Sequence, residues 1–191
     1  MDRIQEEVFY QTKRLAGTIN LIRIFFYTVI SATMLILVLT IFNMISLEMA
    51  LIAFAISLLY SFLRDYSITK YSNKQLDKYY EYAEKKHDDL QLFVPLMEKT
   101  YQGYFLKRAA LIIDGKQLYL EAFRQKKNQK QDQISIPVKY GEKFIIDHES
   151  VDKHSRSITM DSTFSGQYYR FTIVNHQEML NQINQAKRGG K

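Results

Sequence analysis

The chain has 191 residues, of which 47% are apolar, yet its mean hydropathy is slightly negative at -0.25, so the apolar residues must be concentrated in part of the chain. It contains no cysteine, which excludes disulfides, thiolate nucleophiles and cysteine-bound metals. The net charge is +6. A basic balance favours an anionic membrane surface or nucleic acid as a partner. No nucleic-acid recognition motif accompanies the charge, so nucleic acid is not expected.

The first 22 residues predict an N-terminal amphipathic helix. Ile4, Val8, Leu15 and Ile19 recur at spacings of four, seven and four, which places them on one face of a helix. This helix, assigned to residues 1–22, could pair with a second helix further along the chain.

Two apolar runs within residues 23–64 predict a transmembrane helical hairpin. The first, Ile24–Ile45, has no charged residue and is long enough to span the hydrocarbon core. The second, Leu47–Leu63, is shorter, and Glu48 is its one charge. A signal peptide does not fit, because a long polar stretch precedes the first run and no small-x-small cleavage site follows it. A core helix of a soluble protein is the other alternative, and two adjacent runs of this length disfavour it.

Basic residues flank the hairpin on both sides and are absent from its tip at residues 43–48. They are Lys13, Arg14, Arg23, Arg64, Lys70, Lys74 and Lys78. This distribution predicts a multi-pass protein of the cell membrane with both termini in the cytoplasm. Glu48 could mark an ion pathway, but its place in the first turn of the second helix, where a negative charge is favourable, is the simpler interpretation.

The segment after Arg64 predicts a cytoplasmic helical stalk over residues 65–98. Its apolar residues recur mostly at spacings of three, four or their multiples: Ile68, Tyr71, Tyr79, Ala83, Leu90, Phe93 and Met97. The helix is expected to run to about Phe93 and to bend or break at Pro95.

Residues 99–187 predict an α+β domain, followed by a frayed tail over residues 188–191. Asp114-Gly115, between two apolar runs, is the strongest hairpin signal of the chain. Further strands are expected at 133–138, 143–148, 155–160 and 168–174, with a turn at 161–166. Asn175 and Glu178 indicate the start of a terminal helix, 176–186, which carries Met179, Leu180 and Ile183 on one face. These elements form a set that is expected to fold alone from about Lys99.

Six or seven strands followed by an amphipathic helix resemble a pleckstrin-homology-like (PH-like) domain of the bacterial type, over roughly residues 100–187. The resemblance lies in the order of elements. The family's Ile-Pro-x-x-Arg-Ile-Gln stretch is not matched, because Ile136-Pro137 is followed by Val138-Lys139-Tyr140. The resemblance implies an antiparallel, partly open β-barrel plugged at one end by the C-terminal helix. A transmembrane hairpin followed by such a domain is also similar to a known arrangement of small bacterial membrane proteins.

Two polar clusters are candidate sites. The first is a basic segment between the second and third predicted strands: Arg124, Lys126, Lys127 and Lys130. The resemblance implies contacts of such loop cations with lipid headgroups, and the alternative is a solvated hairpin tip. The second has metal-ligand residue types: Asp147, His148, Glu149, Asp152 and His154. Strand alternation sends Asp147 and His148 to opposite faces, so no metal site is expected.

No catalytic or cofactor-binding motif is found, so neither an enzyme nor a cofactor is expected. The sequence favours a membrane-anchored adaptor or accessory subunit, whose domain binds a protein partner or an anionic membrane surface. Self-association into a homo-oligomer is compatible with this hypothesis. A small oligomeric channel, or the regulatory subunit of a transporter, is the alternative.

Overall fold

The computed structural model describes residues 2–17, 19–42, 46–124, 132–147 and 156–189. Within these residues the fold is of the α+β class, with four helices and seven strands. In chain order they are α1 Arg3–Ala16, α2 Leu21–Ile41, α3 Leu47–Lys86, β1 Leu90–Thr100, β2 Gly103–Asp114, β3 Gln117–Arg124, β4 Asp132–Pro137, β5 Phe144–Ile146, β6 Ser157–Phe164, β7 Gln167–Val174 and α4 Gln177–Gly189.

The N-terminal helix α1 is amphipathic, as its spacing predicts, but it ends at Ala16 and not near residue 22, so Ile19 lies outside it and is exposed. The helix packs against the sheet as well as against α3. Val8 is fully buried and Phe9 nearly so. The amide of Gln5 pairs with the backbone of β1: Nε2 donates to the Phe93 carbonyl at 2.8 Å, and Phe93 N donates to Oε1 at 2.6 Å. Gln5 is itself buried, so α1 is held to the sheet by polar as well as apolar contacts.

Helices α2 and α3 are long and apolar enough to cross a membrane by length and composition. They pack against each other through small side chains, which allow a close approach of the two backbones: Thr28, Ala32, Ala53, Ser57 and Ser61. Large apolar side chains point outward along both helices and are exposed, among them Phe25, Ile30, Met34, Leu37, Ile41, Leu51, Phe54, Leu59 and Leu63. We call this part of the molecule, residues 21–63, the apolar hairpin.

The helix α3 continues beyond the apolar hairpin, as predicted, but it ends at Lys86 and not near Phe93. Strand β1, Leu90–Thr100, begins within the stalk predicted over residues 65–98 and extends into the domain predicted from residue 99. Pro95 lies inside this strand at a register irregularity, where it does not break a helix. The six residues Leu92–Met97 are all buried, because both faces of β1 are covered. A strand buried on both faces carries a continuous apolar run, which periodicity cannot distinguish from a helix.

The strands form one antiparallel sheet in the order β4-β3-β2-β1-β7-β6-β5. The hairpin predicted at Asp114-Gly115 is confirmed: Asp114 pairs with Gln117, and Gly115 has a positive φ of 56°. The turn predicted at 161–166 is shorter than expected, because β6 continues to Phe164. Within the described residues the edge strands β4 and β5 do not pair with each other, so the sheet is open and the expected barrel is not closed.

The two faces of the sheet are covered by different helices. Met179 and Ile183 of α4, predicted to lie on its buried face, are 0% and 1% exposed and pack into the larger apolar core. The other face of β1–β3 meets α3, where the Tyr79 ring stacks on Phe123 with centroids 4.2 Å apart. Helix α1 contacts both sides, because Val8 and Ala16 belong to the core shared with α4, whereas Phe9 packs on the α3 side.

Candidate functional site

The predicted basic cluster falls mostly outside the described residues. Strand β3 ends at Arg124, whose backbone pairs with Asp132 at the start of β4. The Arg124 side chain, together with Lys126, Lys127 and Lys130, lies outside the described residues. The headgroup contacts predicted for these four cations therefore stay a prediction.

The second predicted cluster is represented by Asp147 alone, since His148, Glu149, Asp152 and His154 lie outside the described residues. Asp147 accepts a hydrogen bond from Arg170 Nη2 at 2.8 Å, which engages its carboxylate in an ion pair. Among the residues that the structure describes, no group of three or more His, Asp or Glu side chains could hold a metal ion. Glu48 lies in the first turn of α3, as predicted, and is exposed.

A buried ion pair joins α2 to α3 at the open end of the apolar hairpin. Arg23 Nε donates to Asp65 Oδ1 at 2.6 Å, and the two side chains are 1% and 0% exposed. Asp65 Oδ2 also accepts from Asn20 N at 2.8 Å. The Asn20 side chain in turn caps α2, because its Oδ1 accepts from Ile22 N at 2.9 Å. One carboxylate thus fixes the start of α2 against α3.

The same ion pair reaches the β1–β2 turn. Arg23 Nη1 donates to the Tyr104 carbonyl at 3.5 Å, and its guanidinium lies 5.1 Å from the Phe105 ring centroid. Gly103 has a positive φ of 109°, and a Cβ there would lie 2.3 Å from Asn20 Nδ2, so only glycine allows this close approach. We call the contact between Asn20, Arg23, Asp65 and residues 103–105 the hairpin junction. It connects the apolar hairpin directly to the sheet.

A second polar cluster lies at the opposite end of the sheet, where α3 ends. Glu121 Oε1 is fully buried and accepts from Lys86 Nζ at 2.5 Å and from the Ser135 hydroxyl. His87 lies between two carboxylates, with Nε2 3.0 Å from Glu121 and Nδ1 2.8 Å from Asp114. The imidazolium is the form of His87 that donates to both. This cluster fastens the end of α3 to strands β2, β3 and β4.

Replacing Glu121 by Gln is expected to lower the free energy of unfolding by about 1–3 kcal/mol at neutral pH, because Lys86 and His87 lose a shared charged acceptor. Burial raises the pKa of Glu121, but hydrogen bonds from Lys86, Ser135 and His87 outweigh it and hold the pKa below its ordinary value of 4.5. Stabilisation from a carboxyl with a lowered pKa is present above pH 4.5 and lost as the pH falls through the lowered value. Chemical unfolding followed by circular dichroism at pH 7 and pH 3 measures this dependence. The exposed Glu84→Gln change is the control, and a loss in E121Q that persists undiminished at pH 3 would contradict the account.

Two clefts open between the strands. The first, with a volume of about 560 Å³, lies where the end of β1 faces the start of β7. The second, of about 450 Å³, is lined mainly by apolar side chains of β1–β4 and β7. Both are bordered by Lys107 and Arg170. We call the first one the junction cleft, because Tyr101 at its border contacts α2 with ring centroids of Tyr101 and Phe26 5.4 Å apart.

No protein-family profile, curated protein or solved structure matches this chain. The description of the site therefore rests on the geometry of the chain itself.

Sequence reasoning did not identify the hairpin junction, although one signal was present. Arg23 precedes the first apolar run and Asp65 follows the second, so a hairpin brings opposite charges to the same end. Arg23 is one of the basic residues from which the sequence predicts the orientation of the hairpin. Its charge is compensated by Asp65, so it contributes less to that asymmetry than the exposed lysines do.

Proposed function

We propose that this protein is a non-enzymatic, membrane-anchored adaptor or accessory subunit. The apolar hairpin inserts in the cell membrane with both termini in the cytoplasm, and the α+β domain binds a protein partner at the membrane surface. Seven antiparallel strands followed by a terminal helix support the assignment of this domain as PH-like, with the sheet open in place of a closed barrel.

The observation that carries this proposal is the exposed apolar surface of α2 and α3. Within the apolar hairpin, large apolar side chains are exposed on both helices, including Leu37 at 53% and Leu51 at 62%. A soluble monomer rarely exposes a continuous apolar surface of such extent, whereas a lipid environment solvates it. The buried surface of the hairpin is used up in the contact between its own two helices.

The hairpin junction favours an adaptor whose domain is held in a fixed orientation over a domain attached by a flexible tether. A buried, hydrogen-bonded ion pair in direct contact with the β1–β2 turn holds the domain at one orientation relative to the apolar hairpin. The partner surface that this orientation leaves accessible includes the edge strands β4 and β5, which lack a strand neighbour on one side within the described residues. An open sheet edge accepts an extended peptide segment through backbone hydrogen bonds.

The placement of the hydroxyl groups supports an anchor over a channel. Ser57 and Ser61 are buried against the other helix of the same hairpin, and Ser61 Oγ donates to the Ser57 carbonyl at 2.7 Å. Thr33 and Thr40 are exposed on α2, but each hydroxyl donates to a carbonyl of its own helix at 2.8 Å, which is how a hydroxyl is accommodated on a lipid-facing helix.

Single cysteines test the proposed topology, because the chain has none of its own. A cysteine at Ser46, at the hairpin tip, is expected to react with a membrane-impermeant thiol reagent in intact cells, while one at Lys116 reacts after lysis alone. The protein should also resist extraction from membranes by alkaline carbonate. Labelling of Lys116→Cys without lysis would contradict the orientation, and release by carbonate would contradict the anchor.

Two measurements test the adaptor role: recovery of a protein partner and ion flux through the purified protein. Mild detergent extraction is expected to recover one stoichiometric protein partner, and purified protein in liposomes is expected to show no ion flux above that of empty liposomes. Flux that depends on the protein would favour the channel alternative.

A further inference from the structure

The junction cleft has a volume of about 560 Å³, and its position follows from the strand pairing. β1 and β7 pair at Met97 and Thr172. Beyond this pair the two strands diverge towards Thr100 and Arg170, and the cleft lies between them. Phe171 and Thr172 on its β7 side are buried, so this wall of the cleft is part of the packed sheet.

We propose that the junction cleft binds the phosphate group of an anionic lipid headgroup through Lys99 and Lys107. This proposal rests on the membrane anchoring stated above and specifies which part of the domain meets the bilayer.

Charge is the first argument. Three cations line the cleft (Lys99, Lys107 and Arg170), together with two carboxylates (Glu98 and Asp147). Asp147 is engaged by Arg170 at 2.8 Å, so the charge of that arginine is compensated. Lys99 is exposed on β1 and has no ion pair among the described residues. The two lysines are therefore the cations of the cleft that remain available to an anion, although Glu98 and the Asp161 carboxylate, 3.5 Å from Arg170, offset much of their charge.

The geometry of Lys107 is the second argument. Its Nζ donates to the Arg170 carbonyl at 3.1 Å, which holds the ammonium group across the mouth of the cleft. An ammonium group has three donors, so two remain for a ligand. The Arg170 carbonyl belongs to β7, where this residue pairs with Asp161 of β6, so the sheet fixes the acceptor that positions Lys107. Because the Lys107 side chain is already held in place, binding of a phosphate costs less of its conformational entropy.

Position is the third argument, and it selects a lipid as the source of the phosphate. Tyr101, at the border of the cleft, is 74% exposed, and its ring contacts Phe26 in the first turns of the apolar run of α2. With α2 inserted in a bilayer, this border lies at the level where the hydrocarbon core gives way to the headgroups. An exposed tyrosine is also typical of that boundary. The lysines of the cleft then face the phosphate layer of the same leaflet.

The test uses the full chain in a neutral detergent, with binding of short-chain phosphatidylglycerol and phosphatidylcholine measured by native mass spectrometry. The wild-type protein is expected to bind phosphatidylglycerol in preference to phosphatidylcholine. The K99E/K107E variant should bind phosphatidylglycerol at least about tenfold more weakly, because two favourable charges are reversed. The matched control is K85E/K116E, which makes the same change of net charge with two exposed lysines at the other end of the sheet. Its effect should stay below about twofold.

A second variant, K99Q/K107Q, removes the charges without reversing them and is expected to weaken binding in the same direction, while circular dichroism confirms that it is folded. Equal losses from the cleft pair and the control pair would overturn the proposal, because they would mean diffuse attraction by net charge. Equal binding of the two lipids would overturn it as well. Binding of glycerol phosphate as tightly as phosphatidylglycerol would overturn the lipid as the source of the phosphate.

Failure of this proposal is distinguishable from failure of the membrane anchor. Carbonate extraction and cysteine labelling report on the anchor and do not depend on Lys99 or Lys107. A protein that stays in the membrane, but whose cleft variant binds phosphatidylglycerol as well as the wild type, would contradict the cleft and leave the anchor intact.

Discussion

Replacing Asp65 by Leu is expected to destabilise the protein by about 3–5 kcal/mol, because it leaves the guanidinium of Arg23 buried without its counter-charge. The change also removes the acceptor of Asn20 N, which holds the start of α2. Thermal unfolding in detergent, followed by circular dichroism, measures the loss.

Two comparison variants show whether the loss comes from the uncompensated charge. Asp77→Leu removes the carboxylate of another ion pair on α3, with Lys13 at 2.7 Å, but this pair is exposed and its loss should cost less than about 1 kcal/mol. The double change R23M/D65L replaces the buried pair with apolar residues and should recover most of the stability. A double variant no more stable than D65L would show that the junction depends on the hydrogen bonds of Arg23 to the β1–β2 turn and not on charge compensation.

A fragment that begins at Lys99 is expected to be unfolded, although the sequence pattern favours a self-contained unit from this point. The missing residues include most of β1, the strand that lies between β2 and β7. They carry a run of side chains that are at most 2% exposed: Leu92, Phe93, Val94, Leu96 and Met97. Burial of each large apolar side chain contributes about 1.5–3 kcal/mol, so their sum is comparable to the whole stability of an ordinary domain.

The matched control is a fragment that keeps α1 and β1 and omits the apolar hairpin. It joins residues 2–17 through a short Gly/Ser linker to residues 66–189, a connection that the 2.8 Å contact between Asn20 N and Asp65 Oδ2 makes feasible. Circular dichroism should show mixed helix and sheet and a cooperative thermal transition for this fragment, and neither for residues 99–189. Cooperative unfolding of the shorter fragment would show that β1 is dispensable.

The elements that the sequence determined are those whose signal is local. The two apolar runs specify long helices by length and composition, and Asp114-Gly115 specifies a tight hairpin because glycine accepts the positive φ of 56°. The terminal helix was predicted with its buried residues Met179 and Ile183, since a surface helix shows its core contact as a 3.6-residue period. In each case the physical reason lies within a few consecutive residues.

Other features were decided by tertiary structure alone. The spacing of the apolar residues predicts a helix to about Phe93, and only burial on both faces, against α3 on one side and against the core shared with α4 on the other, makes Leu90–Thr100 a strand. Arg23 and Asp65 are 42 residues apart, and Gln5 and Phe93 are 88 apart. The junction cleft exists because two strands distant in sequence pair at Met97 and Thr172 and then diverge. Contacts of this kind produce no periodic pattern in the sequence. Two polar groups far apart in the chain pair with each other only when the fold removes both from water.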